Sequence, residues 1–520
     1  MVALGIAALP GMALSQGAEE YAFVVRMGTD TFAVENVSRT PGRVEADLSG
    51  AMLGRLHLVL GLGARARVET LELTAWQPGT DPTGTPGQRF RLTLGGDSAL
   101  GEFTVPAGMP PQRMATQRGA VPLVNPSFML IEQIARRARA LGGDSVAVPV
   151  LLVQGGATVP VHVRWRGADS VTLEIAGSVV EARTDAEGRL LAGAIQAQKL
   201  AFERVAGHVR PPAAAPPDYA APPGAPYTAE DVRIGTPAGH VLAGTLTRPG
   251  GGDRVPAVVL VTGSGSQDRD EAIPMVRGYR PFREIADTLS RRGVAVLRLD
   301  DRGFGASTGD AASATSADFA DDVRAAMAWL RAREDIDPAR VGIVGHSEGG
   351  LIAPMVAAAD PALAGIVLIA GPARTGREII AYQQRQAVEA NASLTPAGRD
   401  SALAAAREQL VEGAERQPWL RFFLEHDPLP VARQVKATPV LILQGATDRQ
   451  VTADQAAELA AALREGGNPD VTVRVFPDVN HLMLRDADGS PAGYATLEDT
   501  AVVRALLGTL ADWLVARLER

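Results

Sequence analysis

Two periodicities divide the chain. Over the first two hundred residues, apolar and polar positions alternate in short runs, at 43–48, 68–75, 89–94, 159–165 and 170–175. A period of two puts one side of an extended segment in a core and the other in water, so these runs predict antiparallel strands. One stretch, 129–141, has helical spacing instead. The combination predicts a β-rich (α+β) domain over 19–205, a sheet curled around or packed upon a helix. From about residue 228 the pattern changes. After an opening hairpin over 232–246, continuous apolar runs begin at Ala257, Val294, Val341, Ile366, Val440 and Val471, and helical stretches such as 282–292 and 319–333 separate them. Buried strands alternating with helices call for a mostly parallel sheet covered on both faces. Between the two patterns lies Arg210-Pro211-Pro212-Ala213-Ala214-Ala215-Pro216-Pro217, continuing to Pro226. That composition favours extended polyproline conformations, so 206–227 is expected to be a semi-rigid linker and 228–520 a second domain.

One connection in the second pattern is long. About seventy residues separate the strand ending at Ala370 from the strand beginning at Pro439. The segment is rich in Ala, Gln, Glu and Arg at helical spacing and carries Trp419, Phe422 and Phe423. It predicts a helical cap over about 372–432, in which the aromatics either touch substrate or anchor the cap to the core.

The chemistry converges on one turn. The strand around Val341 runs into Gly345-His346-Ser347-Glu348-Gly349-Gly350 and then into an Ala-rich helix. This is the context of a nucleophile elbow, where glycines permit so sharp a turn that the serine hydroxyl is exposed. A serine alcohol needs a base to take its proton and an acid to orient that base. In the order serine, acid, histidine, the strand ending at Gln444 presents Asp448 at its carboxyl end, and His481 is the only histidine beyond it. Asp478, three residues before His481, is the competing acid. The oxyanion of an acyl-transfer intermediate needs backbone N–H donors. Glu348, at the helix start, supplies one, and Ser264, in the loop Thr262-Gly263-Ser264-Gly265-Ser266-Gln267-Asp268-Arg269-Asp270, is the candidate for the other. Gly263, Gly265, His346 and Trp419 are candidates for the substrate pocket. The loop lacks the Gly-Lys-Ser/Thr ending of a phosphate cradle.

Composition narrows the alternatives. With 46% apolar and 21% charged residues, the 520-residue chain is long enough for two or three packed domains. A net charge of −8 argues against nucleic acid as the main partner. The absence of cysteine excludes disulfides, thiolate metal sites and a cysteine nucleophile. Asp300-Asp301-Arg302 invites a metal reading, but no nearby histidine completes a ligand set, and an Asp–Arg brace is preferred; no metal is expected. A carboxylate of Asp268-Arg269-Asp270, if it points into the pocket, would hold a substrate ammonium. Residues 1–18 are apolar and end in small residues, like the later part of a signal peptide, but without a preceding positive charge. Export to the periplasm or medium is the favoured expectation, with a cytoplasmic protein having an apolar N-terminus as the alternative. No stretch has the apolar length of a membrane-spanning helix.

From about Thr228 onward the chain resembles bacterial α/β-hydrolases of the serine aminopeptidase-like esterase group. The resemblance rests on the oxyanion-loop segment 262–270, Asp300-Asp301-Arg302-Gly303-Phe304-Gly305, Gly345-His346-Ser347-Glu348-Gly349, Pro418-Trp419-Leu420-Arg421-Phe422-Phe423, Gln444-Gly445-Ala446-Thr447-Asp448 and Asn480-His481. It departs from many relatives in carrying Thr262-Gly263 where they carry His-Gly. The resemblance implies an α/β-hydrolase fold and a cofactor-free serine esterase acting on small-molecule esters of short acids. Two readings stand behind it: a peptidase or amidase of aminopeptidase type, and a binding protein on a hydrolase scaffold.

Overall fold

The computed structural model describes residues 18–50, 54–76, 86–105, 111–153, 156–167, 169–175, 178–211, 218–251, 254–273, 275–390 and 395–518. Nearly all of the signal-like run and residues 212–217 of the Pro-rich run lie outside them. The chain forms two compact units, Met1–Pro216 and Pro217–Arg520.

The first unit is one 15-stranded sheet in which the first strand, Glu19–Met27, pairs with the last, Leu200–Ala206. From that seam, strands follow one another outward in chain order to Gln112–Ala115 on one side, and in reverse order to Val121–Leu123 on the other. The alternation does what its period dictates. In Ala157–Arg166, Val161, Val163 and Trp165 are buried while His162, Arg164 and Arg166 face water. The helix Phe128–Leu141 is capped by Ser127, whose Oγ accepts from Leu130 N. Every residue from Phe128 to Ala135 is buried, so its first two turns are covered on all sides. Phe128 packs on Phe23 and Phe202, with ring centroids 6.2 and 4.6 Å away.

The second unit carries an eight-stranded sheet in the order Tyr227–Gly235, Val241–Pro249, Ala295–Leu299, Val255–Val261, Ile336–His346, Gly365–Ile369, Val440–Gly445, Val471–Phe476. The first two strands join by antiparallel pairing and the remaining pairs are parallel. Helices Ser316–Arg331, Glu348–Ala359 and Asp454–Glu465 contribute to one core cluster, and Pro281–Ser290 and Arg504–Leu518 to another. Burial on both faces explains the uninterrupted apolar runs. The long connection forms helices Gly376–Ala390, Pro396–Arg416, Pro418–Glu425 and Pro428–Ala432.

The linker expectation of 206–227 is corrected at its end. Asp218 O accepts from Arg280 and Arg283, and the Tyr219 ring lies 4.2 Å from the Arg269 guanidinium. Residues 218–220 are therefore tied to the second unit, because aromatic and carbonyl groups there satisfy its arginines.

Candidate active site

The elbow is forced by close approach. A Cβ on Gly345 would lie 2.1 Å from Gly349 O, and one on Gly349 would lie 2.1 Å from Val261 O, so no larger residue fits either position. Between them Ser347 adopts φ 52° and ψ −116°, a conformation that a side chain rarely tolerates. Its N–H donates to Ile369 O at 2.8 Å, which ties the strained turn to the next strand.

Three loops at strand ends bring the other groups to this serine. His481 Nε2 is 3.0 Å from Ser347 Oγ, and His481 Nδ1 is 2.8 Å from Asp448 Oδ2. Asp448 is buried and fully engaged: Oδ1 accepts from Gln450 N and Val451 N, and Oδ2 also accepts from Gln444 Nε2. Each bond restricts the carboxylate to the orientation that receives the imidazole. Asp478 is exposed and lies at a positive-φ turn residue. Asn480 Oδ1 accepts from Leu482 N and Leu484 N, fixing the loop that presents His481.

Ser347, His481, Ser264 and Glu348 open on one cavity of about 170 Å³. Its apolar wall includes Ile379, Ile380, Trp419, Phe423 and Val451. Trp419 and Phe423 are stacked with centroids 5.3 Å apart, and Trp419 Nε1 donates to Glu348 Oε1 at 2.8 Å. The Glu348 side chain therefore joins the cap to the elbow. It also accepts from Ser316 Oγ at 2.6 Å, and burial raises its pKa despite both bonds.

Three pocket expectations are corrected. Gly263 and Gly265 line a separate cavity of about 50 Å³ beside Asp301, and Gly263 N is already bonded to Glu271 Oε1. His346 is only 3% exposed and has both ring nitrogens within 2.9 Å of oxygens, Glu271 Oε1 and His481 O, so it lies behind the cavity wall. Nor do Asp268 and Asp270 line the main cavity. Asp268 accepts from Ala272 N and Tyr219 OH, and Asp270 is salt-bridged to Arg298 and Arg280. The Asp–Arg brace is present with a different arginine: Asp300 takes Arg269 at 2.8 Å, while Arg302 pairs with Asp322.

The sequence pattern does not reveal Glu271 or the side-chain role of Glu348, and Asp301, read there as part of a brace, bonds the loop instead. Asp301 accepts from Thr262 Oγ1 and Gln267 N, and burial holds its pKa well above the carboxylate range. Glu271 lies one residue beyond the charged segment Asp268-Arg269-Asp270.

A buried, mostly parallel sheet, helices on both faces, a capped crevice at the strand ends and a serine on a strained elbow define an α/β-hydrolase. The family model described as serine aminopeptidase, S33, matches residues 275–488. Esterase EstD of Thermotoga maritima is 30% identical over 306 residues, covering 58% of this chain and 70% of that protein. The chain belongs to this family of serine aminopeptidase-like α/β-hydrolases and is a hydrolase. An uncharacterized protein of Mycobacterium tuberculosis is 28% identical over 255 residues, 48% of this chain and 72% of its own length. Among solved structures, an esterase of Pyrococcus furiosus aligns with 60% of this chain and 97% of its own at 19% identity and a TM-score of 0.40. Among the described residues, no helix is long and apolar enough to cross a membrane.

Proposed function

We propose that the protein is a carboxylic ester hydrolase that works through an acyl-enzyme on Ser347. Ser347 Oγ attacks the ester carbonyl carbon as its proton passes to His481 Nε2, and the backbone N–H groups of Glu348 and Ser264 hold the resulting oxyanion. Collapse expels the alcohol, which takes the proton from His481. Water then attacks the acyl carbon, giving its proton to His481, and the acid leaves as Ser347 Oγ recovers the proton. Asp448 orients His481 and stabilises its imidazolium without taking its proton. The observation that carries this reading is the hydrogen-bonded series Ser347–His481–Asp448 at the mouth of the Trp419-lined cavity.

The cavity volume and its aromatic end favour short acyl chains. The aminopeptidase alternative lacks an anchor at the positions first considered, because Asp268 and Asp270 are committed elsewhere. Turnover of p-nitrophenyl esters of increasing acyl length, compared with aminoacyl anilides, tests the assignment. Preference for short esters is expected, and preference for anilides would replace esterase with peptidase. The apolar run 1–18 supports a further proposal of export, which fractionation of the producing cell would test.

A further inference from the structure

Behind the catalytic face lies a second histidine–carboxylate pair. His346 Nδ1 is 2.9 Å from Glu271 Oε1, its Nε2 is 2.9 Å from the main-chain carbonyl of His481, and the two imidazole centroids are 5.0 Å apart. The same Glu271 oxygen accepts from Gly263 N at 2.6 Å, one residue before Ser264. His346 and Glu271 are 3% and 2% exposed.

The acceptors decide the protonation state. A backbone carbonyl has no proton to give, so Nε2 must carry one to bond it. A carboxylate likewise only accepts, which requires a second proton on Nδ1. Burial opposes charge on His346, but Glu271 and the His481 carbonyl outweigh it and raise its pKa.

We propose that His346 is a positioning residue, held as an imidazolium between Glu271 and the His481 carbonyl, so that one buried ion pair fixes both the loop of the base and the oxyanion loop. The role rests on the esterase mechanism above. The other titratable groups around the pair are Asp448 on the far side of His481, the buried carboxyls of Asp301 and Glu348, and the buried hydroxyls of Tyr279 and Tyr494.

The direct test is NMR of the full chain with isotope-labelled histidine ring nitrogens, His346 being assigned by comparison with His346→Phe and His346→Gln. Both His346 nitrogens should remain protonated at a pH where an ordinary histidine has lost one of its protons. A ring carrying one proton at neutral pH would overturn the proposal, since Glu271 would then be the protonated partner. In kinetics, His346→Phe should lower kcat about 10- to 100-fold while leaving KM within about threefold, the signature of misplaced catalytic groups. Glu271→Gln keeps an acceptor for Gly263 N but loses the charge, and should return His346 to its neutral state. His346→Gln, which keeps a donor within reach of the His481 carbonyl, should recover part of the loss. An unchanged kcat in His346→Phe would contradict the positioning role. If that variant does not fold, the ring protonation of the unaltered chain still decides. The ring state is read without turnover, so its failure is distinct from failure of Ser347 to react with a fluorophosphonate, which would remove the esterase mechanism itself.

Discussion

Both units bury carboxylates, and they do so in opposite ways. In the first unit Glu132 is fully buried and accepts from Tyr21 OH, Arg136 Nε, Arg204 NH1 and Leu190 N. Its acceptor sites are taken by groups of the same core, and such a saturated cluster specifies packing. In the second unit Asp448, Glu271 and Glu348 are also buried, yet their bonds lead to a histidine, the loop after Val261 and the cap, around a cavity. Burial of charge alone does not mark a site. What distinguishes the two is whether the partners close on themselves or converge on an open space beside Ser347.

The comparison breaks most visibly if removing the convergent groups costs little. Ser347→Ala and His481→Ala should each lower kcat for a short p-nitrophenyl ester by about 10⁵- to 10⁶-fold, and the double variant should lose little beyond either, since the two act as a unit. Steady-state kinetics of the three variants checks this. Next in size, Asp448→Asn should lower kcat by something approaching 10⁴-fold through the wrong histidine tautomer. Asp478→Asn should leave it within about twofold, as expected for an exposed residue without a contact to the base. The reverse result in a kcat comparison would exchange the two acids.

The first unit offers a smaller effect, on stability. Burial pushes the Glu35 carboxyl up to about 7, even though it accepts from Ser127 Oγ and Met129 N. In the unfolded chain its pKa is about 4.3, so between these values the folded state binds more protons and stability falls as pH rises. The loss starts near pH 4, is complete above about pH 7, and amounts to a few kcal/mol as an order of magnitude. Thermal unfolding of the full chain across this range should show the decline, and Glu35→Gln should flatten it. The smallest effect is expected from removing the first unit. A chain starting at Pro217 should hydrolyse a small soluble ester within about threefold of the full chain, as independent domains permit. A start at Pro226 removes Tyr219 from Arg269, and the two truncations should differ in melting temperature.

The legible parts of the sequence were those with local causes. Strand alternation, the elbow glycines and the order Ser347, Asp448, His481 follow from residue type and spacing. Strand boundaries shifted modestly: the elbow strand begins at Ile336, before the apolar run that marked it. What stayed hidden depends on contacts between distant residues. Glu271 and His346 are 75 positions apart, and Glu348 and Trp419 are 71. No periodicity reports that these side chains meet. The pocket reading of His346 failed for this reason, because adjacency to Ser347 in sequence says nothing about which side of the elbow a buried ring occupies. The linker end was misplaced because proline content was read as freedom from packing, although Tyr219 sits among prolines and still finds an arginine.

The proposed mechanism makes Ser347 a nucleophile activated by His481. Its most direct measurement is covalent labelling by a fluorophosphonate, located by peptide mass spectrometry in the unaltered chain and in His481→Ala. A single adduct on Ser347 is expected, formed far more slowly when His481 is absent. An unlabelled Ser347 in the folded chain, or labelling that proceeds as fast without His481, would contradict it.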